Sequence, residues 1–222
     1  MTDFIYQPPQ HPYLPIIYQD DDIAVFNKPS GLLSVPGREK INRDSLAIRA
    51  MRVWPDIRVV HRLDMATSGL IVMAMNRAAQ SHLSRQFQQR QTQKRYLAEV
   101  WGLLYQKQGS VDLPLRCDWP NRPRQMVDHQ LGKKALTHWQ VKQYRELTTI
   151  VELKPVTGRS HQLRVHMQQL GHPIVGDQIY APKDVLAYTN RLHLHATELG
   201  FYHPHTNEWL AFKCDAAFAE GV

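Results

Sequence analysis

The sequence predicts an α+β fold with a mixed, mostly antiparallel central sheet and flanking helices and loops. Strand-like segments come in adjacent pairs with few helical segments between them, whereas a doubly wound parallel sheet would alternate strands and helices. Residues 16–28 show such a pair, because two apolar runs flank an acidic turn at Asp20-Asp21-Asp22. The 222 residues suffice for a full hydrophobic core without disulfide or metal support.

Three helices are predicted from capping residues and apolar periodicity. The first begins near Asp44, a favourable N-cap, and runs to Trp54. The second covers residues 76–90. Its buried stripe is Ala79, Leu83 and Phe87. The third covers residues 160–170, and Gly171 ends it.

The remaining strands follow from alternating or continuous apolar runs. They are predicted at residues 59–64, 70–75, 94–102, 135–144, 149–155, 191–203 and 208–213. Residues 103–134 are loop-rich, and the proline-rich residues 1–15 are expected to form an extended N-terminal segment. Residues 16–222 are expected to form a single domain, since no linker or internal repeat interrupts them.

The composition favours a polyanion as partner. The net charge is +7 and the isoelectric point is near 9.5, which suits RNA or DNA. Two distant cysteines, Cys117 and Cys214, form no disulfide framework and no zinc spacing, so a reducing cytoplasm is expected. The N-terminal residues do not resemble a signal peptide, and no apolar run is long enough to predict a membrane span.

A long basic stretch strengthens the expectation of a nucleic-acid partner. Residues 65–98 contain no aspartate or glutamate. Their basic residues are Arg77, Arg85, Arg90, Lys94 and Arg95. A surface without acids makes a positive field that attracts phosphates, and the interspersed glutamines add neutral donors.

A second basic patch lies at residues 118–125, where Trp119 stands close to Arg122 and Arg124. An exposed aromatic ring among arginines can stack on a base, which is worth about 1–3 kcal/mol. Either patch alone is typical of an ordinary solvated surface. Together they favour a nucleic-acid partner.

The segment His61-Arg62-Leu63-Asp64 places an arginine and an aspartate two residues apart beside apolar runs. In extended backbone the side chains of Arg62 and Asp64 point to the same side. Such an anionic oxygen serves as a nucleophile, a base or a structural anion. The spacing does not separate a catalytic group from a salt bridge, and taken alone it favours the salt bridge. A hydrolase triad with Ser68 is disfavoured, because no nucleophile elbow of the form G-x-S-x-G occurs.

The 12 histidines raise the question of a metal site. His193 and His195 share a strand face, and His203 and His205 follow. No carboxylate or cysteine accompanies them with ligand spacing, so no metal is expected.

Four blocks together resemble the RluA family of pseudouridine synthases: residues 22–37, 59–74, 94–102 and 156–177. The HRLD block followed by TSG and the GRSHQLRVH block are the most specific. The resemblance implies the pseudouridine synthase fold for the catalytic domain. Larger relatives carry an N-terminal S4-type RNA-binding module, for which the pattern leaves no room before Ile16.

The resemblance implies isomerisation of uridine to pseudouridine in RNA, without cofactor or metal. It makes Asp64 the essential carboxylate, Tyr96 the active-site tyrosine that stacks on the base or assists proton removal, and Arg164 the partner of the carboxylate. It makes Arg62 the group that enters the RNA stack when the target base flips out. The residues expected to bind RNA are Arg62, His61, Arg85, Arg90, Lys94, Arg159, Trp119, Arg122 and Arg124.

The resemblance also implies two substrates, a tRNA anticodon stem-loop and a 23S rRNA hairpin. Without an additional RNA-binding module, the catalytic domain must recognise them, which favours small stem-loops read by shape. A monomer is expected. The alternative is a non-catalytic RNA-binding protein that uses the same basic surfaces and would not need the carboxylate.

Overall fold

A computed structural model describes residues 5–221. In chain order, the strands are β1 (Ile16–Gln19), β2 (Ile23–Lys28), β3 (Arg58–Val59), β4 (Ser68–Ala74), β5 (Gln93–Trp101), β6 (Gln108–Asp112), β7 (Leu115–Cys117), β8 (Gln125–Val127), β9 (Leu136–Tyr144), β10 (Thr148–Pro155), β11 (Leu194–Tyr202) and β12 (Trp209–Lys213). The helices are α1 (Leu46–Met51), α2 (Arg77–Gln89), α3 (Gln162–Gln169) and α4 (Lys183–Leu186). The predicted α+β class is confirmed.

The chain forms two compact units. Unit 1 contains the residues up to Gln93 together with Glu198–Cys214, and unit 2 contains Lys94–Thr197 and the residues from Asp215 onward. The chain passes from unit 2 to unit 1 within β11. The expectation of a single catalytic domain stays a prediction. Among residues 5–221, no helix combines the length and apolarity that crossing a membrane requires.

Unit 1 is a sheet covered by α2. The strand order is β1, β2, β4 and β11, with β3 beside β4 and β12 beside β11. The pairs β1–β2, β2–β4, β3–β4 and β11–β12 are antiparallel. Ala79 and Leu83 of α2 are buried in a cluster with Val25, Val72 and Phe201. Phe87 is partly buried at its edge, so the predicted stripe is confirmed.

Arg49 of α1 is completely buried and fastens the N-terminal segment to this helix. Its Nη2 donates to the Pro9 carbonyl at 2.8 Å and its Nη1 to the Tyr13 carbonyl at 3.0 Å. Its Nε and Nη2 also donate to both oxygens of Asp44, at 2.9 and 2.6 Å. Residues 5–15 form no helix or strand, and the first four residues of the predicted extended segment lie outside the described residues.

Unit 2 is built on the strand order β11, β5, β10, β9 and β6. The pairs β5–β10, β9–β10 and β6–β9 are antiparallel, and β7 and β8 form a separate small hairpin. Val165 of α3 packs against Leu115, Ala135 and Tyr180, with Val127 and Ile179 partly buried alongside. This cluster joins α3 to the β7–β8 hairpin.

Glu99 of β5 is a fully buried carboxylate in unit 2. Thr148 Oγ1 donates to Glu99 Oε1 at 2.6 Å, Arg145 Nη1 lies 3.0 Å from the same oxygen, and His193 Nδ1 lies 2.8 Å from Oε2. Burial raises the pKa of Glu99, but the hydrogen bonds from His193 and Thr148 and the charge of Arg145 outweigh it and lower the pKa to about 2. His193 is therefore occupied by its contact with the Glu99 carboxylate.

Residues 103–134 are loop-rich, as predicted, and also contain three short strands, β6, β7 and β8. Two local predictions are wrong. Asp44 does not cap α1; Ser45 is the N-cap, and its side chain accepts from the Ile48 amide, because Asp44 is bound to Arg49. The strand predicted at residues 59–64 ends at Val59, because the backbone that follows is bound by side chains from another segment.

We predict that Glu99→Gln flattens the dependence of stability on pH between pH 4.5 and 2. The pKa of Glu99 is lower in the folded state than in the unfolded chain, so its stabilisation is complete above about pH 4.5 and is lost as the pH falls toward 2. The full effect amounts to about 3 kcal/mol. Urea unfolding across this pH range measures it.

Tyr188→Phe is the matched control for that experiment. The Tyr188 hydroxyl donates to Glu99 at 3.2 Å, so the variant removes one neutral donor and keeps the carboxylate. It should retain most of the wild-type pH dependence. An equally steep dependence in Glu99→Gln would contradict the role assigned to Glu99.

Candidate active site

The HRLD segment lies in the loop of residues 60–67, which joins β3 to β4 in unit 1. Leu63 is buried and anchors the middle of this loop. The Leu63 amide donates to Ser34 Oγ at 3.1 Å, and the Ser34 hydroxyl donates to the Leu63 carbonyl at 2.7 Å. This reciprocal pair gives the loop the backbone partners that a neighbouring strand would otherwise supply.

Lys28, the last residue of β2, is fully buried and binds the same loop. Its Nζ donates to the carbonyls of Pro29 at 2.9 Å, Leu32 at 2.7 Å and Met65 at 3.0 Å. Three acceptors require the three N–H donors of the ammonium form. Burial lowers the pKa of Lys28 to about 7, and the Asp64 carboxylate acts in the opposite direction. Lys28 therefore places a buried cation close to Asp64.

Two further bonds complete the anchorage of the loop. The Ser30 hydroxyl donates to the Ala66 carbonyl at 2.7 Å, and the Gly31 amide donates to the Met65 carbonyl at 2.9 Å. Gly31 has φ +86°, a left-handed conformation that favours glycine in this turn. Within the loop, the Thr67 amide donates to the Asp64 carbonyl at 3.1 Å and forms a turn directly after the aspartate.

Asp64 itself is half-buried, Leu63 before it is buried, and Arg62 is exposed. Asp64 thus stands in a loop, four residues before β4 begins. Its main chain is fixed on both sides while its carboxylate remains partly accessible. This arrangement suits a carboxylate that must meet a substrate in a defined position.

His61 was predicted to contact RNA, and the structure gives its ring two partners inside unit 1. The Val72 amide donates to His61 Nε2 at 3.2 Å, and the ring stacks on Phe87 with centroids 4.3 Å apart. These contacts hold the start of the loop against β4 and α2. The proposed RNA contact of His61 stays a prediction.

Tyr96 lies on β5 in unit 2, opposite the buried Leu153 of β10, and is half-buried. Its strand neighbours on the same face, Ala98 and Val100, are fully buried. Glu99, on the opposite face of the strand, is fully buried as well, so burial does not alternate along β5. The catalytic role of Tyr96 stays a prediction.

Arg164 lies on α3 and forms a buried bidentate ion pair with Asp177. Nε and Nη2 of Arg164 donate to the two carboxylate oxygens of Asp177, each at 2.7 Å. The helix that carries Arg164 is bound to the sheet, since Gln162 Nε2 donates to Thr137 Oγ1 at 3.0 Å and His166 Nδ1 lies 2.9 Å from the same hydroxyl. The predicted pairing of Arg164 with Asp64 stays a prediction.

Arg159 and Lys94 lie close to the start of α3. The Arg159 amide donates to Gln162 Oε1 at 3.0 Å, and its exposed side chain donates from Nε to the Lys134 carbonyl at 3.1 Å. A Cβ at Gly158 would lie 3.9 Å from Nζ of Lys94. The structure therefore brings these two predicted RNA-binding residues to one region of unit 2.

The second predicted basic patch is the exposed loop between β7 and β8. Trp119 is 63% exposed, and Arg122 lies over its ring with Cζ 4.7 Å from the centroid. Arg122 Nε also donates to the Trp119 carbonyl at 3.2 Å. Arg124 is exposed and donates to the Ile179 carbonyl. The loop thus presents an aromatic ring together with two guanidinium groups.

Arg85 and Arg90 lie on unit 1, on α2 and at its C-terminal end. Both are exposed, and Arg90 is the C-cap in the left-handed conformation, with φ 60°. No acidic side chain lies in the first turn of the helix, as the acid-free stretch predicted. The exposed face of α2 therefore carries positive charge.

Sequence reasoning missed Lys28, Asp177 and Tyr180. Lys28 stood inside a block used for the resemblance, but no role was assigned to it. A lysine at the end of an apolar strand followed by Pro-Ser-Gly was an available signal of a buried cation.

No cluster of three or more His, Cys, Asp or Glu side chains with the geometry of a metal site occurs within residues 5–221.

We predict that Lys28→Met lowers the free energy of unfolding by about 2–4 kcal/mol, because three buried carbonyls lose their donor. Hydrogen exchange of the amides at residues 63–68 should become faster, since the loop loses an anchor. Urea unfolding and exchange measured by mass spectrometry check both effects. Lys142→Met, a change at an exposed position of β9, should stay within about 0.5 kcal/mol of wild type. Equal effects of both changes would contradict the anchoring role.

Comparisons with known proteins agree with the motifs. The family model for RNA pseudouridylate synthases matches residues 22–169. The dual-specificity RNA pseudouridine synthase RluA of Vibrio cholerae is 55% identical over 205 residues, which cover 92% of this chain and 83% of the relative. RluA of Escherichia coli is 54% identical over 214 residues, which cover 96% and 98% of the two chains.

A solved structure shares the fold. Human RNA pseudouridylate synthase domain containing 1 matches with a TM-score of 0.80 at 30% identity, covering 96% of this chain and 87% of the human one. The predicted pseudouridine synthase fold and the resemblance to the RluA family are both confirmed. This chain belongs to the RluA family of RNA pseudouridine synthases and is therefore an RNA isomerase.

Proposed function

We propose that Asp64 is the catalytic carboxylate of this pseudouridine synthase and that it acts on uridines flipped out of RNA stem-loops. The observation that carries the proposal is the anchorage of the HRLD loop. Lys28, Ser30 and Ser34 bind its backbone from one side, while the Asp64 side chain remains partly accessible. A fixed main chain with an accessible acid supplies the preorganisation that catalysis requires.

The reaction exchanges one glycosidic bond for another. The bond between C1′ and N1 breaks, a bond between C1′ and C5 forms, the proton leaves C5, and N1 gains a proton. Three routes are open to the carboxylate: addition to the base, addition to C1′, or removal of a proton from C2′. Each route uses an ionised oxygen held at the flipped nucleoside, and none needs a cofactor.

Three side chains are proposed to assist Asp64. Tyr96 stacks on the target base and assists removal of the C5 proton. Arg164, already held by Asp177, pairs with the carboxylate through its remaining donors. Arg62 is exposed, and its planar guanidinium fills the gap in the RNA stack when the base leaves.

The substrates proposed are a tRNA anticodon stem-loop and a 23S rRNA hairpin, which the dual-specificity names of the relatives support. Trp119, with Arg122 stacked on it, is proposed to stack on a loop base. His61 and Arg159 are proposed to contact the RNA beside the flipped uridine. We propose further that the protein acts as a monomer in the cytoplasm.

We predict that Asp64→Asn reduces turnover on the order of 10³-fold or more while RNA affinity stays within about threefold. The amide keeps the size of the side chain and removes its charge. Tritium release from transcripts labelled at uridine C5 measures turnover, and filter binding measures affinity. Transcripts of tRNA and of the 23S hairpin are tested side by side.

Asp56→Asn is the matched control, since Asp56 is an exposed carboxylate that precedes β3. It should retain wild-type turnover on both transcripts. Full activity of Asp64→Asn would exclude a catalytic role and leave only an RNA-binding protein.

We predict that the combined change of Arg85, Arg90 and Lys94 to glutamine weakens RNA affinity and flattens its salt dependence. Each lost phosphate contact reduces the slope of log affinity against log salt by roughly 0.7–0.9. Affinity titrations between 50 and 200 mM salt, a range in which phosphate contacts dominate, measure the slope.

A control variant removes the same charge elsewhere, by changing Lys107, Lys142 and Lys183 to glutamine. These three side chains are exposed on unit 2 and lie outside the proposed RNA track. The control should lower the slope less than the test variant does. Identical slopes in the two variants would show that α2 and the start of β5 do not bind the RNA.

A further inference from the structure

Tyr180 of unit 2 bonds two segments of the candidate site through one hydroxyl group. The Gln125 amide donates to this hydroxyl at 2.8 Å, and His161 Nδ1 lies 2.7 Å from it. Gln125 directly follows the exposed loop of residues 118–124, and His161 directly precedes α3. The side chain of Tyr180 is 4% exposed, so these bonds lie away from solvent.

The ring of Tyr180 contacts the guanidinium groups of the same two segments. Cζ of Arg164 lies 5.1 Å from the ring centroid, and Cζ of Arg124 lies 5.2 Å from it. A guanidinium at this distance is attracted by the quadrupole of an aromatic ring. The ring therefore restricts where both arginines can lie.

Asp177 provides a second connection between Tyr180 and Arg164, because it binds both residues. While its carboxylate holds Arg164 in the bidentate pair, its Oδ1 also accepts from the Ile179 amide at 3.0 Å and the Tyr180 amide at 3.1 Å. One buried carboxylate thus fixes the guanidinium and the turn that carries the tyrosine. A shift of this turn would move Arg164 as well.

The backbone at His161 is strained where the Tyr180 hydroxyl bonds it. His161 has φ 53° and ψ 16°, a left-handed conformation that costs free energy in a residue with a side chain. Such conformations persist where surrounding contacts determine them. The bond to Tyr180 is one of these contacts, so it helps to set the start of α3.

We propose that Tyr180 is a positioning residue that orients Arg164 and the RNA-binding loop together. Its ring and Asp177 place Arg164, and its hydroxyl holds the loop that presents Trp119. The inference rests on the proposed function, in which Arg164 assists Asp64 and Trp119 stacks on RNA. It adds that substrate binding and turnover depend on one buried tyrosine that touches neither the base nor the sugar.

The test separates the hydroxyl from the ring. Tyr180→Phe removes the bonds to Gln125 and His161 but keeps the ring beside both arginines. It should raise KM for the tRNA stem-loop about two- to tenfold, the equivalent of losing the Gln125 bond that holds the loop, and leave kcat within about twofold. Tyr180→Leu removes the ring as well and should lower kcat at least tenfold in addition.

A double-mutant cycle shows whether the hydroxyl acts through the loop. In a Trp119→Ala background, Tyr180→Phe should cause little further rise in KM, because the loop has already lost its contact. Additive effects would overturn the proposal, and so would a wild-type KM in Tyr180→Phe. The cycle and the conservative variant decide the matter even if Tyr180→Leu fails to fold.

Two controls separate this inference from other failures. Tyr188→Phe also removes a hydroxyl bonded inside unit 2, but away from the loop, and should keep the wild-type KM. A matching rise in KM would show a general loss of structure and overturn the proposal. Asp64→Asn is measured in the same assays. If Asp64→Asn stays active, the proposed function fails. The effect of Tyr180→Phe on KM is still decided by the double-mutant cycle with Trp119→Ala.

Discussion

A buried ammonium group determines the position of the candidate catalytic loop. Nζ of Lys28 binds three carbonyls, of which two belong to the turn after β2 and one to Met65 beside Asp64. Moving an ammonium from water into the protein interior is costly unless its donors are all satisfied. The interaction is therefore strongly dependent on geometry, and a displaced loop would leave a buried charge without partners.

In unit 2, a buried group of the opposite charge positions a candidate site residue in a similar way. The buried carboxylate of Asp177 holds Arg164, and its remaining bonds shape the turn that carries Tyr180. In each unit, a charged group far from solvent binds a segment or side chain of the candidate site. Asp64 lies in a loop and Arg164 on an eight-residue helix, and bonds to buried charged groups help to fix the position of both.

Patterns in the sequence were sufficient for elements whose evidence is local. The β1–β2 hairpin, helix α2 and strand β5 follow from periodicity within a few residues, and each was predicted within one or two residues of its bounds. The HRLD segment was predicted to be part of a strand, because the apolar residues on either side of it are typical of paired strands. Its backbone partners are the side chains of Lys28 and Ser34, which precede the carbonyls they bind by 37 and 29 residues, a separation that no periodicity records.

In the candidate site, too, the sequence identified some residues and not others. Motifs identified Asp64 and Arg164, because these residue types and spacings carry the family resemblance. Asp177 and Tyr180 were not identified, because their meaning depends on contacts with α3 and with the loop of residues 118–124. Likewise, Asp44 looked like an ordinary N-cap, and only its bond to Arg49 shows why Ser45 takes that place.

Arg49 has a practical consequence for handling the protein. Two of the carbonyls that satisfy its guanidinium come from Pro9 and Tyr13, in a segment without helix or strand. An expression variant trimmed to begin at β1 would remove those two acceptors from the buried guanidinium of Arg49, which would keep its bonds to Asp44. An N-terminal affinity tag or fusion partner is therefore best placed before residue 1, so that residues 1–15 are retained.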